Sequence, residues 1–139
     1  MRRLTLVLVV PVLLAACSDD KAASPPTSTA PPTVCVTTAA PDGRLVHVTL
    51  DDIVGGFGSL GSRANSGLTP GVIRVELEAD AENAGPASIR IMKAGAEVAT
   101  ITGVVAGATC GIDLSVTAGT YQVLGDADQD TEFEVTAGD

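Results

Sequence analysis

The chain has 139 residues, with 8 Lys plus Arg against 17 Asp plus Glu and a formal net charge of −9. That length suits one compact domain, and the acidic balance excludes a nucleic-acid surface, which needs clustered positive charge to displace counterions. One His, one Tyr, two Phe and no Trp leave little for acid–base catalysis or for stacking on bases and sugars.

The chain opens with Arg2 and Arg3, followed by an apolar run from Leu4 to Ala16. Thirteen helical residues would cover roughly 20 Å, short of the roughly 30 Å hydrocarbon core of a bilayer. A removable signal peptide over 1–16 therefore fits better than a membrane span. Leu14-Ala15-Ala16-Cys17 then resembles the lipobox of bacterial lipoproteins. The resemblance implies a diacylglyceryl group on the Cys17 thiol and cleavage before Cys17, with two or more acyl chains holding the protein stably. Cleavage removes two positive charges and takes the net charge from −9 to −11. A surface that acidic is repelled by anionic headgroups, so lipid has to do the anchoring. The expected location is the extracytoplasmic face of the cell membrane.

Residues 17–33 hold the lipidated Cys and a tether, Ser18 to Thr33, almost free of large apolar side chains. Such a segment cannot offset its ordering entropy by burial and is expected to be disordered, stiffened by Pro25, Pro26, Pro31 and Pro32. Its Ser18-x-x-Lys21 spelling matches a motif of penicillin-interacting enzymes but lacks the partner motifs and rigid helix that chemistry requires.

From Val34 to Asp139 the texture changes to short apolar alternations. Val46, Val48 and Leu50 share one parity, as do Ile73, Val75, Leu77 and Ala79, with Arg74, Glu76 and Glu78 between them. Ile89 with Ile91, Cys110 with Ile112, Leu114 and Val116, Tyr121 with Val123, and Phe133 with Val135 repeat the pattern. Period two with polar residues on the opposite parity marks half-buried antiparallel strands. Turn signals separate them at Pro70-Gly71, Asn83 to Pro86, Ala94-Gly95, Ala106 to Ala108, Ala118-Gly119 and Asp126 to Asp130. The expected fold is all-β, an antiparallel Greek-key β-sandwich of about seven or eight strands over 34–139.

The pieces Val48 to Asp52, Leu68 to Gly71, Val75 to Glu78, Asn83 to Pro86, Ala118 to Tyr121 and Thr131 to Val135 resemble the cupredoxin-like β-sandwiches of exported bacterial proteins, with immunoglobulin-like folds as the competing topology. The resemblance implies copper ligands shortly after the Asn83 turn and around the penultimate turn. Those positions fall near Ala87 or Ser88 and near Gly125, and neither Met of the chain lies there. With His47 alone on an early strand, the soft thiolate and imidazole set of a blue-copper centre cannot be assembled. No cofactor is expected.

Other constellations are bland. Asp126, Asp128 and Asp130 spell Asp-x-Asp-x-Asp, but Thr131 and Ala137 stand where a calcium-binding EF-hand needs Gly and Glu. They are weak metal candidates in a solvated turn. Gly56 to Gly61 spells Gly-x-Gly-x-x-Gly, but no helical pattern follows to receive a pyrophosphate. This stretch reads as a mobile connection between sheets, and Phe57 and Leu60 as an exposed partner-binding spot on it. A Ser/His/acid triad would depend on His47, a solvent-facing strand residue.

Two cysteines remain once Cys17 is lipidated, and export places them outside the reducing cytosol. A Cys35–Cys110 disulfide is expected, pinning the domain entrance to a strand whose inward parity Cys110 shares. The functional expectation is a non-enzymatic binding or structural module of the cell envelope, joined to the membrane by lipid and to an unidentified envelope protein or small ligand. The alternative is a calcium-type metal or small-ligand binder using the acidic loop.

Overall fold

A computed structural model describes residues 31–52, 58–65 and 67–138. Eight strands follow one another: β1 Leu45–Asp51, β2 Ser59–Ala64, β3 Gly71–Ala79, β4 Ala87–Lys93, β5 Ala96–Val104, β6 Thr109–Val116, β7 Gly119–Leu124 and β8 Asp130–Val135. They form two four-stranded sheets, ordered β2-β1-β3-β6 and β5-β4-β7-β8. The chain is therefore an all-β sandwich with Greek-key wiring. Strands three apart in sequence, β3 with β6 and β4 with β7, lie side by side. One pair departs from the antiparallel expectation. β1 and β3 run parallel, with His47 opposite Glu76, because β2 reverses the chain on one edge of β1, and β3, reversed again, pairs on the other edge.

The inward parities meet as expected. Val46, Val48 and Leu50, then Ile73, Val75 and Leu77, then Leu114 and Val116 face Ile89, Ile91, Ile101, Tyr121, Val123, Phe133 and Val135 in one buried cluster. Each such side chain contributes about 1.5–3 kcal/mol relative to leaving it in water. Tyr121 and Phe133 stack with ring centroids 5.1 Å apart. The Tyr121 hydroxyl donates to Thr117 O at 3.2 Å and accepts from Thr117 N–H at 3.0 Å. That tie across the β6–β7 turn has the form of a tyrosine corner.

Two strands carry no clean alternation in the sequence. β2, Ser-Leu-Gly-Ser-Arg-Ala, is an edge strand with one apolar side chain of any size. β5 shifts register against β4 twice, once between Ile91 and Met92 and once between Ala87 and Ile89. Each shift inserts an extra β5 residue and flips the parity after it. The second falls beside Gly103, whose φ of 72° a side chain rarely adopts.

Arg74 departs from the half-buried pattern expected of β3. It lies on the outer face but is 1% exposed, because the chain before β1 crosses that face. The connection expected at Gly56 to Gly61 is also corrected in part. Residues 59–64 are strand β2, and Leu60 stands opposite Leu50, half-buried against the core rather than exposed on a loop. Phe57 lies outside the described residues.

Candidate functional site

Strand direction gathers the acidic residues. β1 and β3 end, and β8 begins, at the same end of the sandwich, which places Asp51, Asp52, Asp80, Glu82, Asp126, Asp128 and Asp130 there. The Asn83 side chain stitches this end together, its Oδ1 accepting from Asp52 N–H at 2.7 Å and its Nδ2 donating to Leu50 O at 3.0 Å. The Asn83 to Pro86 turn signal thus has a structural use. Gln129 fills the space left by two missing side chains, since a Cβ at Gly58 or Gly125 would fall within 2.5 Å of its amide.

The Asp-x-Asp-x-Asp loop, with Arg90, Leu124, Gly125 and Gln129, lines an open depression of about 340 Å³. Burial raises the Asp126 carboxyl above its ordinary value of 3.8, and Asp52 nearby adds to the rise, while the Ser88 N–H and the Arg90 guanidinium oppose it. Among the described residues, no three His, Cys, Asp or Glu side chains converge as metal ligands. What this end offers is a mixed-charge surface, carboxylates beside one guanidinium.

A second depression of about 260 Å³ lies on the outer face of the first sheet, lined by His47, Thr49, Gly61, Ser62 and Arg63. His47 is on that face as its parity requires, its Nε2 2.7 Å from Glu78 Oε2 and its Nδ1 4.0 Å from Glu76 Oε2. The two carboxylates flank opposite ring nitrogens, an arrangement that fixes the imidazole.

The chain before β1 makes a series of long-range contacts. Residues 31–44 form a strap over the seam between the β5 and β6 edges. Thr33 N–H donates to Thr102 O at 3.0 Å, and Thr102 N–H donates to Thr33 Oγ1 at 2.8 Å. Thr102 Oγ1 also donates to Pro31 O at 3.0 Å. Val36 N–H then donates to Gly111 O at 2.8 Å. Between these contacts the structure brings the Cys35 and Cys110 sulfurs to 2.05 Å, with Cα atoms 5.0 Å apart. That spacing lies within the roughly 4.4–6.8 Å that disulfides span. Farther on, Arg74 Nη1 donates to Thr38 O at 2.6 Å, and Nη2 donates to Ala39 O at 3.4 Å. Its Nε donates to Asp113 Oδ1 at 2.6 Å. The opposite seam is closed by Ser62 Oγ, which donates to Glu132 O at 2.7 Å.

Arg74 was missed from the sequence, although one signal pointed to it. Gly111 sits inside an otherwise well-formed strand, and a strand glycine marks close approach. A Cβ there would stand 2.8 Å from Arg74 Cδ. Cys17 and the tether before Pro31 lie outside the described residues. No protein-family model matches this chain, and no curated protein is significantly similar to it.

Proposed function

We propose that this chain is a lipid-anchored protein of the cell envelope whose β-sandwich serves as a non-enzymatic binding or structural module. The observation that carries the proposal is the Cys35–Cys110 pair beside the Leu14 to Cys17 lipobox. A chain that uses its two remaining cysteines as a bridge belongs in an oxidising compartment, and the same chain opens with an export and lipidation signal. The strap supports the reading from a second direction. Tension arriving along a tether meets the Thr33–Thr102 bonds and the bridge before it reaches β1.

The division of strands between sheets favours the cupredoxin-like resemblance. Immunoglobulin constant-type domains place their first, second, fourth and fifth strands in one sheet. Here the first, second, third and sixth share a sheet, with β1 and β3 parallel. Copper is not part of the proposal, since the only His is bonded to Glu78 on the outer face.

The acidic end supports a second reading as a small-ligand surface. Arg90 in its lining disfavours a bare cation and suits a ligand carrying both a cationic and an anionic group.

Cys17→Ser in the full chain tests the anchor. Wild-type protein should partition with membranes, and the variant should be released or remain unprocessed. Cleaved Cys17→Ser protein that stays on the membrane defeats the reading.

A further inference from the structure

We propose that Cys35 is a thiol-exchange site through which a dithiol oxidoreductase releases the strap and leaves the sandwich folded. The inference rests on the bridged, exported state proposed above. Its physical basis is the way the strap is held. None of residues 31–44 is buried, and Val34 is 90% exposed. No apolar side chain of the strap enters the core cluster. Between Pro31 and Val36 the attachment consists of the bridge, Pro32 lying over Gly103, and a few hydrogen bonds at the rim. An ordered segment must offset the conformational entropy of fixing its backbone. Hydrogen bonds that are exposed or only part-buried contribute little net, so the covalent link is the strongest tie on the first half of the strap. The second half has a separate attachment at Arg74, which reduction does not touch.

The two sulfurs are not equivalent. Cys35 is exposed, whereas Cys110 is 2% exposed and belongs to the core cluster. A thiolate therefore attacks Cys35 Sγ, and the Cys35–Cys110 bond breaks with the electron pair leaving on Cys110, which takes a proton. A mixed disulfide joins Cys35 to the oxidoreductase. The second thiol of the oxidoreductase then attacks its own sulfur in that link, and Cys35 leaves as a thiolate and is protonated. The net change is transfer of two electrons and two protons, with the oxidoreductase oxidised to its disulfide. Cys110 remains as a small buried thiol, a comfortable core residue. Release uncovers the β5 edge at Thr102 and the β6 edge at Gly111, which the strap covers in the bridged form.

The test uses the full chain recovered from membranes in detergent. Non-reducing mass analysis is done first, then amide hydrogen exchange before and after treatment with a thioredoxin-class dithiol protein. The expected result is a bridged starting material whose Thr33, Val36 and Thr102 amides exchange at least about tenfold faster after reduction, while β3 and β4 amides are unchanged. A form of the oxidoreductase lacking its resolving cysteine should be trapped on Cys35 and not on Cys110. Two free thiols in the starting material overturn the bridged reading and the inference together. A bridged protein whose strap amides stay protected after reduction overturns the inference alone. So does reduction that accelerates exchange throughout β3 and β4, because the bridge would then staple the whole fold.

Discussion

Arg74 and Asp113 meet on the outer face of the first sheet, Nε to Oδ1 at 2.6 Å, with the arginine side chain 1% and the aspartate 38% exposed. The pair is asymmetric. The guanidinium has left water almost entirely and is compensated by Asp113 and by carbonyl oxygens of the strap, while the carboxylate can still be hydrated. Removing one member of a buried pair is costly chiefly when it strands the other.

The asymmetry predicts different costs for the two partners. Arg74→Ala leaves a carboxylate that water can reach and loses the strap contacts, so it should cost about 2–3 kcal/mol, below the usual range for breaking a buried pair. Asp113→Asn keeps an acceptor oxygen for Nε but leaves the buried guanidinium without its counter-charge, so it should cost more, about 3–4 kcal/mol. Urea midpoints of the two variants check this order. Arg74→Ala within about 0.5 kcal/mol of wild type would show that the clamp contributes nothing.

The β4–β5 turn predicts a stabilising substitution. Ala94 and Gly95 have φ of 49° and 80°, the two positive angles of a type I′ hairpin turn, for which Asn-Gly is the preferred pair. A Cβ makes the left-handed region unfavourable, whereas the Asn side chain tolerates it. Ala94→Asn should stabilise the domain by about 0.5–1 kcal/mol. Ala94→Gly should come out near neutral, because relief in the folded turn is offset by a freer unfolded chain. An Ala94→Asn variant that melts below wild type would contradict the strained turn.

Asp126 predicts a local pH dependence. Burial, aided by Asp52, raises its pKa above 3.8 in the folded protein, so the native state binds its proton more tightly than the unfolded chain does. The sign follows: stability associated with this group is greatest below its unfolded value and falls as pH rises through the raised one. Asp126→Asn keeps an acceptor for the Ser88 N–H and removes the titration. The stability of the variant relative to wild type should therefore increase between about pH 3 and about pH 7, measured by urea unfolding at each pH. A wild-type advantage that grows over the same interval would reverse the sign.

The sequence by itself determined the class of fold and most of its inward residues, because alternation at period two is a local property and the inward rows of β1, β3, β4 and β6 to β8 keep it. The pairing of Cys35 with Cys110 was legible too, since they are the two cysteines that follow the Leu14 to Cys17 segment. Tertiary structure alone decided what lies on the outer faces. Whether Arg74 meets water depends on where residues 31–44 cross the sheet, and that path is set by contacts with Thr102, Cys110 and Gly111, which lie 69 to 75 residues away in sequence. The bulges that hide β5 and the side of β1 on which β3 pairs are likewise set by neighbouring strands. A pattern read along one strand carries no information about the chain that will cover it.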